Sequence, residues 1–442
     1  MTSSALISPY QRDGRSIGVI HFGLGAFHRG HQAVYFNDAL QNDLGEWGIY
    51  GISPRSSQVT DLLRQQNFIY TVNARAGSKQ DPKIVSSLFG GSLFDIENSE
   101  LRDAATSDEL KIITITVTEK TYISGTDRNS MPNRLLDLLL LRFQAELPTP
   151  TLISCDNLPN NGTFLREKIF ESSAVRHFDP SFQEWLTNMA TPNSMVDRIV
   201  PAITPEAIER FSSEYGYRDY SLISTEPYRQ WVVAPHESPY DLSQLDIEIS
   251  SEVEQYEQLK LRLFNGAHST TAYFSQLSNI EFVFQAMQLP IWEAFVSRLQ
   301  QQIGKSFIPP TGINVDDYSE TARIRISNSA VLHRSAQIAM DGSAKLPQRL
   351  FRTLNQLARE NLPRERVAFA IALWISFLRS GLSIVDPLVD ELMTRSRGKN
   401  PVAEVMQTPG LRDPIVDSEW DLVDRFVREL EVQKPIEIAK NL

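Results

Sequence analysis

The stretch KLRLFNGAH, Lys260–His268, sets an amine, an amide and an imidazole within a few helical turns. Oxidising a secondary alcohol needs such a set: a base for the hydroxyl proton, donors that hold the developing alkoxide, and a hydride acceptor from elsewhere. At about 100° per residue, Lys260, His268 and Asn265 fall near 0°, 80° and 140° on a helix, so they share one side. Leu259 and Leu263 take the opposite arc and can bury it, while Phe264 and Ala267 fall beside Lys260. Lys260 is the expected general base, and its ammonium form the acid in reduction. That role requires desolvation or a nearby cation to lower the amine's pKa. Asn265 is the expected donor to the carbonyl or alkoxide oxygen, and His268 positions substrate hydroxyls or orients the lysine. Taken alone, the stretch also fits a solvated helix end, since Asn-Gly often closes a helix. The chain runs on as AHSTTAYFSQL without a break, which favours a continuing helix.

A hydride acceptor is suggested by VIHFGLGAFHRGHQ, Val19–Gln32. An apolar run, Ile17–Phe22, leads into Gly23-Leu24-Gly25, as a strand feeds a dinucleotide loop. In that loop the first glycine permits the turn, the second lets the backbone approach pyrophosphate, and the third allows close helix packing. Gly23 and Gly25 supply the first two, but His28 stands at the third place. The following helix must then sit farther off or the loop take a variant path, which leaves room for Arg29 to add charge beside the phosphates. A metal site on His28 and His31, spaced i, i+3, lacks further ligands nearby in sequence.

These groups need scaffolds. With 442 residues the chain is too long for one ordinary core, and 41% hydrophobic with 22% charged residues marks a soluble globular protein. Forty-three basic against fifty-four acidic residues give a net charge of −11, which argues against nucleic-acid or anionic-membrane partners. A single cysteine, Cys155, excludes an intrachain disulfide and a Cys-rich zinc site. The N-terminus lacks an apolar core of signal-peptide length, and the most apolar run, Val367 to Leu378, is too short to span a bilayer. A cytoplasmic location is expected. The first part alternates β-branched runs with amphipathic segments, the pattern of βαβ units on a parallel sheet. Expected strands are Ile17–Phe22, Gly48–Ser53, Phe68–Asn73, Lys111–Thr118 and Thr151–Cys155; expected helices include Gly30–Leu40, Gln58–Gln65 and Arg134–Glu146. From about Asp246 helical spacing dominates, with turn signals at Gly304–Gly312, Asp341–Pro347 and Pro409–Pro414. The fold class is therefore α/β with a parallel sheet over residues 1–245, followed by a mainly α-helical domain over 246–442.

Several motifs carry a resemblance. GLGAFHRGHQ is similar to the signature of the polyol-specific long-chain dehydrogenases, the mannitol dehydrogenase family. CDNLPNNG (Cys155–Gly162), NSMVDRIVP (Asn193–Pro201), KLRLFNGAH and TVTEKTY (Thr116–Tyr122, with Thr121 where glycine is usual) resemble further family motifs in the expected order. The resemblance implies a Rossmann-type N-terminal domain, a helical C-terminal domain and an active site between them. It also implies metal-independent hydride transfer between nicotinamide and a secondary alcohol or ketone. It adds Asn157 as an oxygen-binding donor and Asp197 as a partner of the lysine or of a substrate hydroxyl. Gly23, Gly25, Phe27, His28, Arg29, Arg55, Thr118, Glu119 and Lys120 become the expected cofactor-binding residues. Cys155 reads as a small buried residue at a strand end.

The segment after the second strand, GISPRSSQ (Gly51–Gln58), has no carboxylate for the ribose hydroxyls and offers Arg55, Ser56 and Ser57. That could welcome a 2′-phosphate, so NADP stays open, while the resembling family mostly uses NAD; NAD is the expectation. HRSAQIAMDGSAKLPQR, His333–Arg349, resembles a stretch of the fructuronate reductase branch, whose substrates are D-mannonate and D-fructuronate. Arg334, Lys345 and Arg349 would bind the carboxylate, or lie on a solvated loop. The rival readings are a mannitol 2-dehydrogenase or arabinitol dehydrogenase acting on neutral polyols and, from another class, a non-catalytic nucleotide-binding module. The expected partner is a small sugar acid or polyol, and the expected state a monomer or small homo-oligomer.

Overall fold

Five short apolar strands build the sheet that carries the glycine loop: β1 Ile17–Phe22, β2 Gly48–Ser53, β5 Leu88–Leu93, β6 Ile112–Ile115 and β7 Thr151–Ser154. They run parallel in the order β5-β2-β1-β6-β7. In chain order this is third, second, first, fourth, fifth, the doubly wound arrangement whose order reverses beside β1. Alternation sorts the side chains onto two covered faces. Val19, Ile49 and Ile153 join the core cluster of helix Gln32–Gln41, while Ile20, Phe22, Ile113 and Leu152 join that of helices Met131–Gln144 and Asn161–Arg176. The computed structural model describes residues 6–117, 121–122 and 127–442. It divides into two units, Met1–Val253 and Glu254–Leu442.

The expected strand Phe68–Asn73 is displaced. Asn67 and Phe68 take left-handed backbone, with φ of 52° and 58°, so no strand can begin there. The observed β3, Tyr70–Ala76, pairs antiparallel with β4, Lys79–Val85, and parallel with β9, Ile223–Thr225, in a separate sheet. Its expected place in the main sheet is taken by β5, whose LFGGSL sequence lacks the β-branched signal. A Cβ on Gly91 would stand 2.6 Å from the Gly51 carbonyl oxygen, so the weak strand former is kept by close packing. A third sheet joins β8 Ser194–Asp197, β10 Gln230–Val233 and β11 Glu248–Ile249.

The second unit is helical. Glu365–Arg379 is buried over most of its surface and packs against Gly266–Leu277 and Trp420–Val432, as expected for a helix apolar on all sides. Asp341–Pro347, expected as a turn, is instead entered by Asp341 at φ 55° and forms helix Gly342–Leu346, continued by a π-helical stretch Pro347–Phe351. Pro347 lacks an amide hydrogen and so interrupts the ordinary ladder. Among the described residues no helix is long and apolar enough to cross a membrane.

Candidate active site

The glycine loop sits at the C-terminal ends of β1 and β2. Gly23 has φ 101°, and a Cβ there would lie 1.8 Å from the Thr116 carbonyl oxygen, so both backbone and space demand glycine. Its amide donates to the Ile52 carbonyl at 2.9 Å, and the Gly25 amide donates back to the Gly23 carbonyl at 2.6 Å. Among the described residues a Cβ on Gly25 would meet only the Gly23 oxygen, at 3.7 Å. The described residues therefore leave the space a pyrophosphate needs beside the second glycine, and the loop fits a dinucleotide.

Below the loop His21 is fully buried, and burial holds it down to about 3. Its Nε2–H reaches the Gly23 carbonyl at 3.1 Å, and Nδ1 lies 2.8 Å from the Thr114 hydroxyl. The third-glycine position resolves differently from the expectation. His28 is fully buried and stacked on His21, ring centroids 3.3 Å apart and 11° from parallel. Burial first, and then the neighbouring His21, keep it neutral. Arg29 turns inward too: its guanidinium donates to the Ser221 carbonyl at 2.8 Å and lies 5.8 Å from the Tyr70 ring. One helical turn, Ala26–Gly30, rotates both side chains away from the loop mouth. His28 and Arg29 therefore support the loop from beneath rather than line it. Phe27, half-buried, stacks on His31, whose Nε2 donates to the Gln230 carbonyl at 3.0 Å. Among the described residues no group of three His, Cys, Asp or Glu could hold a metal ion.

Beyond β7, Asp156 is a tie: its carboxylate accepts from the Val117 amide at 2.5 Å and from the Tyr122 hydroxyl. Asn161 donates to the Ser154, Asp156 and Ser194 carbonyls and accepts from the Ser194 amide. This clamp leaves Asn157 exposed at the C-terminal edge of the sheet. Cys155 is buried, and burial pushes its thiol up, which suits packing and not nucleophilic work. Asp197 ends β8, 2% exposed, and the adjoining Arg198 donates to the Gly30 and Glu226 carbonyls. Arg55 is exposed and lines a cleft of about 260 Å³ with Pro54, Val117, Ser130 and Arg134. Thr118, Glu119 and Lys120 lie outside the described residues.

In the second unit the predicted trio stands on one continuous rod: helix Val253–Leu259, π-helical Lys260–Asn265, helix Gly266–Leu277. The π-turn alters the expected phase. Bonds from i to i+5 widen the turn beyond the 3.6 residues of an α-helix, so Asn265 stands closer in line with Lys260 than 140° implies. Lys260 and Asn265 are half-buried; His268 is 6% exposed. The rod's π-turn packs against the second π-turn, Pro347–Phe351, and a Cβ on Gly266 would lie 3.5 Å from the Arg349 carbonyl oxygen.

That packing gathers cations. Burial first, then His333, Arg349, Arg325 and Lys345, keep His268 well below its ordinary range, so it works as a neutral imidazole. The His268 and His333 rings meet edge-on at 5.0 Å. Arg349 donates to the Ser269 hydroxyl at 2.7 Å, and burial lowers it to about 10. Lys345 donates to the Met340 carbonyl at 2.7 Å; burial and then Arg349 lower it to about 8, offset only in part by Asp341 and Asp386. Arg325 lies 4.0 Å from the Phe264 ring. Arg334 is not brought into this group: its side chain is 61% exposed and pairs with Glu281. Sequence reasoning missed Arg325 and His333. His333 opens the quoted motif and carried a signal; Arg325 lies in a helix remote in sequence and carried none.

A loop fitted to a dinucleotide in one unit, and an amine, an amide and a neutral imidazole in the other, are the equipment of a dehydrogenase acting on a CH–OH group. Comparison with known proteins narrows the class. Residues 17–246 match the mannitol dehydrogenase Rossmann domain and residues 252–432 the mannitol dehydrogenase C-terminal domain. A mannitol 2-dehydrogenase of Aspergillus fumigatus is 29% identical over 96% of this chain and 91% of its own. A D-mannonate oxidoreductase of Escherichia coli is 30% identical over 84% and 83% respectively. The Pseudomonas fluorescens mannitol 2-dehydrogenase, solved with NAD and D-mannitol, superposes with a TM-score of 0.84 at 25% identity, covering 98% of this chain and 95% of that one. The chain belongs to the mannitol dehydrogenase family, whose members are NAD-dependent dehydrogenases acting on CH–OH groups.

Proposed function

We propose that the protein interconverts D-mannonate and D-fructuronate with NAD(H). The observation that carries this reading is the set of cations around His268: after burial, which comes first, Arg349, Arg325 and Lys345 act with the neighbouring His333 ring to lower its pKa, and the first three carry positive charge. Such a concentration of positive charge disfavours a further proton and favours a carboxylate. A neutral polyol offers no anion for it. The relatives named above include both substrate types at near-equal identity, so the cationic group and not the kinship favours the acid.

The nicotinamide supplies the hydride acceptor when bound. Lys260 takes the hydroxyl proton in oxidation and, as ammonium, returns it to the oxygen in reduction. Asn265 and Asn157 donate to that oxygen and stabilise its developing charge. His268, held neutral, accepts or donates a hydrogen bond to a substrate hydroxyl without changing charge near neutral pH. Lys345 and Arg349 bind the carboxylate.

The test follows nicotinamide absorbance during reduction of D-fructuronate and of D-fructose with NADH, using Lys260→Ala alongside. Fructuronate turnover lost in the variant is the expected result. Preferential turnover of fructose would assign the protein to neutral substrates, and activity surviving in Lys260→Ala would refute the base.

A further inference from the structure

The small sheet β4-β3-β9 has two unlike faces. Tyr70 and Val72 of β3 and Ile223 of β9 turn into the core that also holds Val19 and Ile49. The opposite face carries Asn73 and Ser224, register partners on adjacent parallel strands, and meets helix Pro205–Tyr215. Short polar side chains do not fill the space beneath a helix. A cavity of about 60 Å³ remains there, with Asn73, Gln80, Ser224 and Leu222 on the sheet side and Arg210, Phe211 and Glu214 on the helix side. It lies wholly in the first unit and shares no residue with the glycine loop or with the groups around His268.

A hydrogen-bond relay fixes which polar atom is left over. Glu214, as a carboxylate, only accepts, so it takes a Gln80 side-chain N–H at 2.7 Å. The Gln80 side-chain oxygen therefore faces Asn73, whose Nδ2–H donates to it at 2.9 Å. Asn73 is 4% exposed, and its Oδ1 is buried with no partner among the described residues. Exchanging the oxygen and nitrogen of Asn73 would set two carbonyl oxygens face to face, so the orphan is an acceptor. Beside it the half-buried Ser224 hydroxyl makes no hydrogen bond among the described residues. At the rim Arg210 is exposed and makes no ion pair among them. Glu214 is the one carboxylate among the described lining residues, against the guanidinium groups of Arg75 and Arg210.

We propose that this cavity is a second binding site, for a small α-hydroxy acid of the lactate class. Each part of such a molecule has a counterpart. Its hydroxyl donates to Asn73 Oδ1, which a buried site leaves unmet only at a cost. Its carboxylate meets Arg210 and the Ser224 hydroxyl. Its short carbon chain lies against Phe211 and Leu222. One water needs about 10–15 Å³ of such space, so the cavity has room for about five, the bulk of a three-carbon acid. A plain carboxylate would leave Oδ1 without a donor.

The experiment is a saturation-transfer NMR titration of the full chain with lactate, propionate and lactamide. Lactate is expected to bind. Propionate, which lacks the hydroxyl, and lactamide, which lacks the charge, should each bind about tenfold more weakly. Lactate can also enter the substrate site, so variants locate it. Arg210→Gln, on an exposed helix position, should weaken lactate by about fivefold to tenfold. Ser224→Val, which places methyl groups in the cavity, should abolish its binding. Both variants should keep the parent's affinity for NADH, which reports an intact first unit, and Lys345→Met should bind lactate as the parent does. No binding of lactate, equal binding of propionate, or binding that persists in both cavity variants and is lost in Lys345→Met would overturn the proposal.

Discussion

Lys345 gives the sharpest handle at the scale of single residues. Burial and Arg349 lower its pKa to about 8, so raising the pH through 8 removes the charge that would hold a carboxylate. The KM for D-fructuronate should therefore rise by roughly tenfold between pH 7 and pH 9.5, the worth of one charge-assisted contact. The KM for D-fructose, which has no carboxylate, should stay flat over the same range. Parallel rises for both ketones would show that some other group is titrating and remove Lys345 from the substrate's binding set. Replacing Lys260 by alanine should lower kcat about 10²–10⁴-fold, the usual contribution of a positioned acid or base, with the far-ultraviolet circular dichroism unchanged; a smaller loss would contradict its role. The continuing helix that carries Lys260, Asn265 and His268 was legible, from the unbroken run after Asn265-Gly266 and from the family motif; its π-turn was not. Direction could not be read. Arg334 and Lys345 lie in one short motif, yet Arg334 turns outward to Glu281 while Lys345 turns in towards Arg349. The same holds for His28 and Arg29: the sequence does not show that His28 stacks on His21 or that Arg29 donates to the Ser221 carbonyl.

At the scale of elements, two glycines test the packing that aims these groups. Gly23→Ala would place a Cβ 1.8 Å from the Thr116 carbonyl at a φ of 101°. The loop must then move, and affinity for NADH should fall by more than about tenfold, the cost of strain at a left-handed position; unchanged affinity by fluorescence titration would show that the loop does not carry the cofactor. Gly342→Ala would bring a Cβ to 2.5 Å from the Trp374 indole nitrogen and 2.8 Å from the Tyr273 hydroxyl. Overpacking of this kind costs about 1–3 kcal/mol, a fall in Tm of a few degrees by calorimetry, and helix Gly342–Leu346, which carries Lys345, should shift with it. An unaltered Tm would mean that the two side chains yield freely. Strands β1 and β2 were legible to the residue because their apolar runs are bounded by clear turn signals. β5 was not, because the tight spacing of Gly51 and Gly91 outweighs its poor propensity. Neither π-turn announces itself in the sequence; Pro347 marks the second only as an interruption.

For the molecule as a whole, buried histidines couple stability to pH. His21 is held to about 3 and His333 to about 4, while His28 and His268 are well below the ordinary range, all chiefly by burial. Their folded-state pKa values lie below the unfolded value near 6.5, so the unfolded chain binds more protons in between. The stability they permit is complete above about pH 6.5 and is lost progressively as the pH falls towards 4, with a slope of up to about 1.4 kcal/mol per pH unit for each histidine. Urea denaturation at pH 7 and pH 5 should show a large drop in midpoint; equal midpoints would place these rings in contact with water. The two-part organisation and the change of texture along the chain were legible in composition and periodicity. The convergence of Arg325, His333, Lys345 and Arg349 on His268 was not, since only tertiary packing brings together residues so far apart in sequence.

The most direct measurement of the central claim is the ratio of kcat/KM for D-fructuronate to that for D-fructose, taken with NADH at pH 7 in the parent protein and in Lys345→Met. A ratio well above one, falling by about tenfold or more in the variant, is the predicted result. A ratio below one, or one that Lys345→Met leaves unchanged, would contradict the assignment of a carboxylate-bearing substrate.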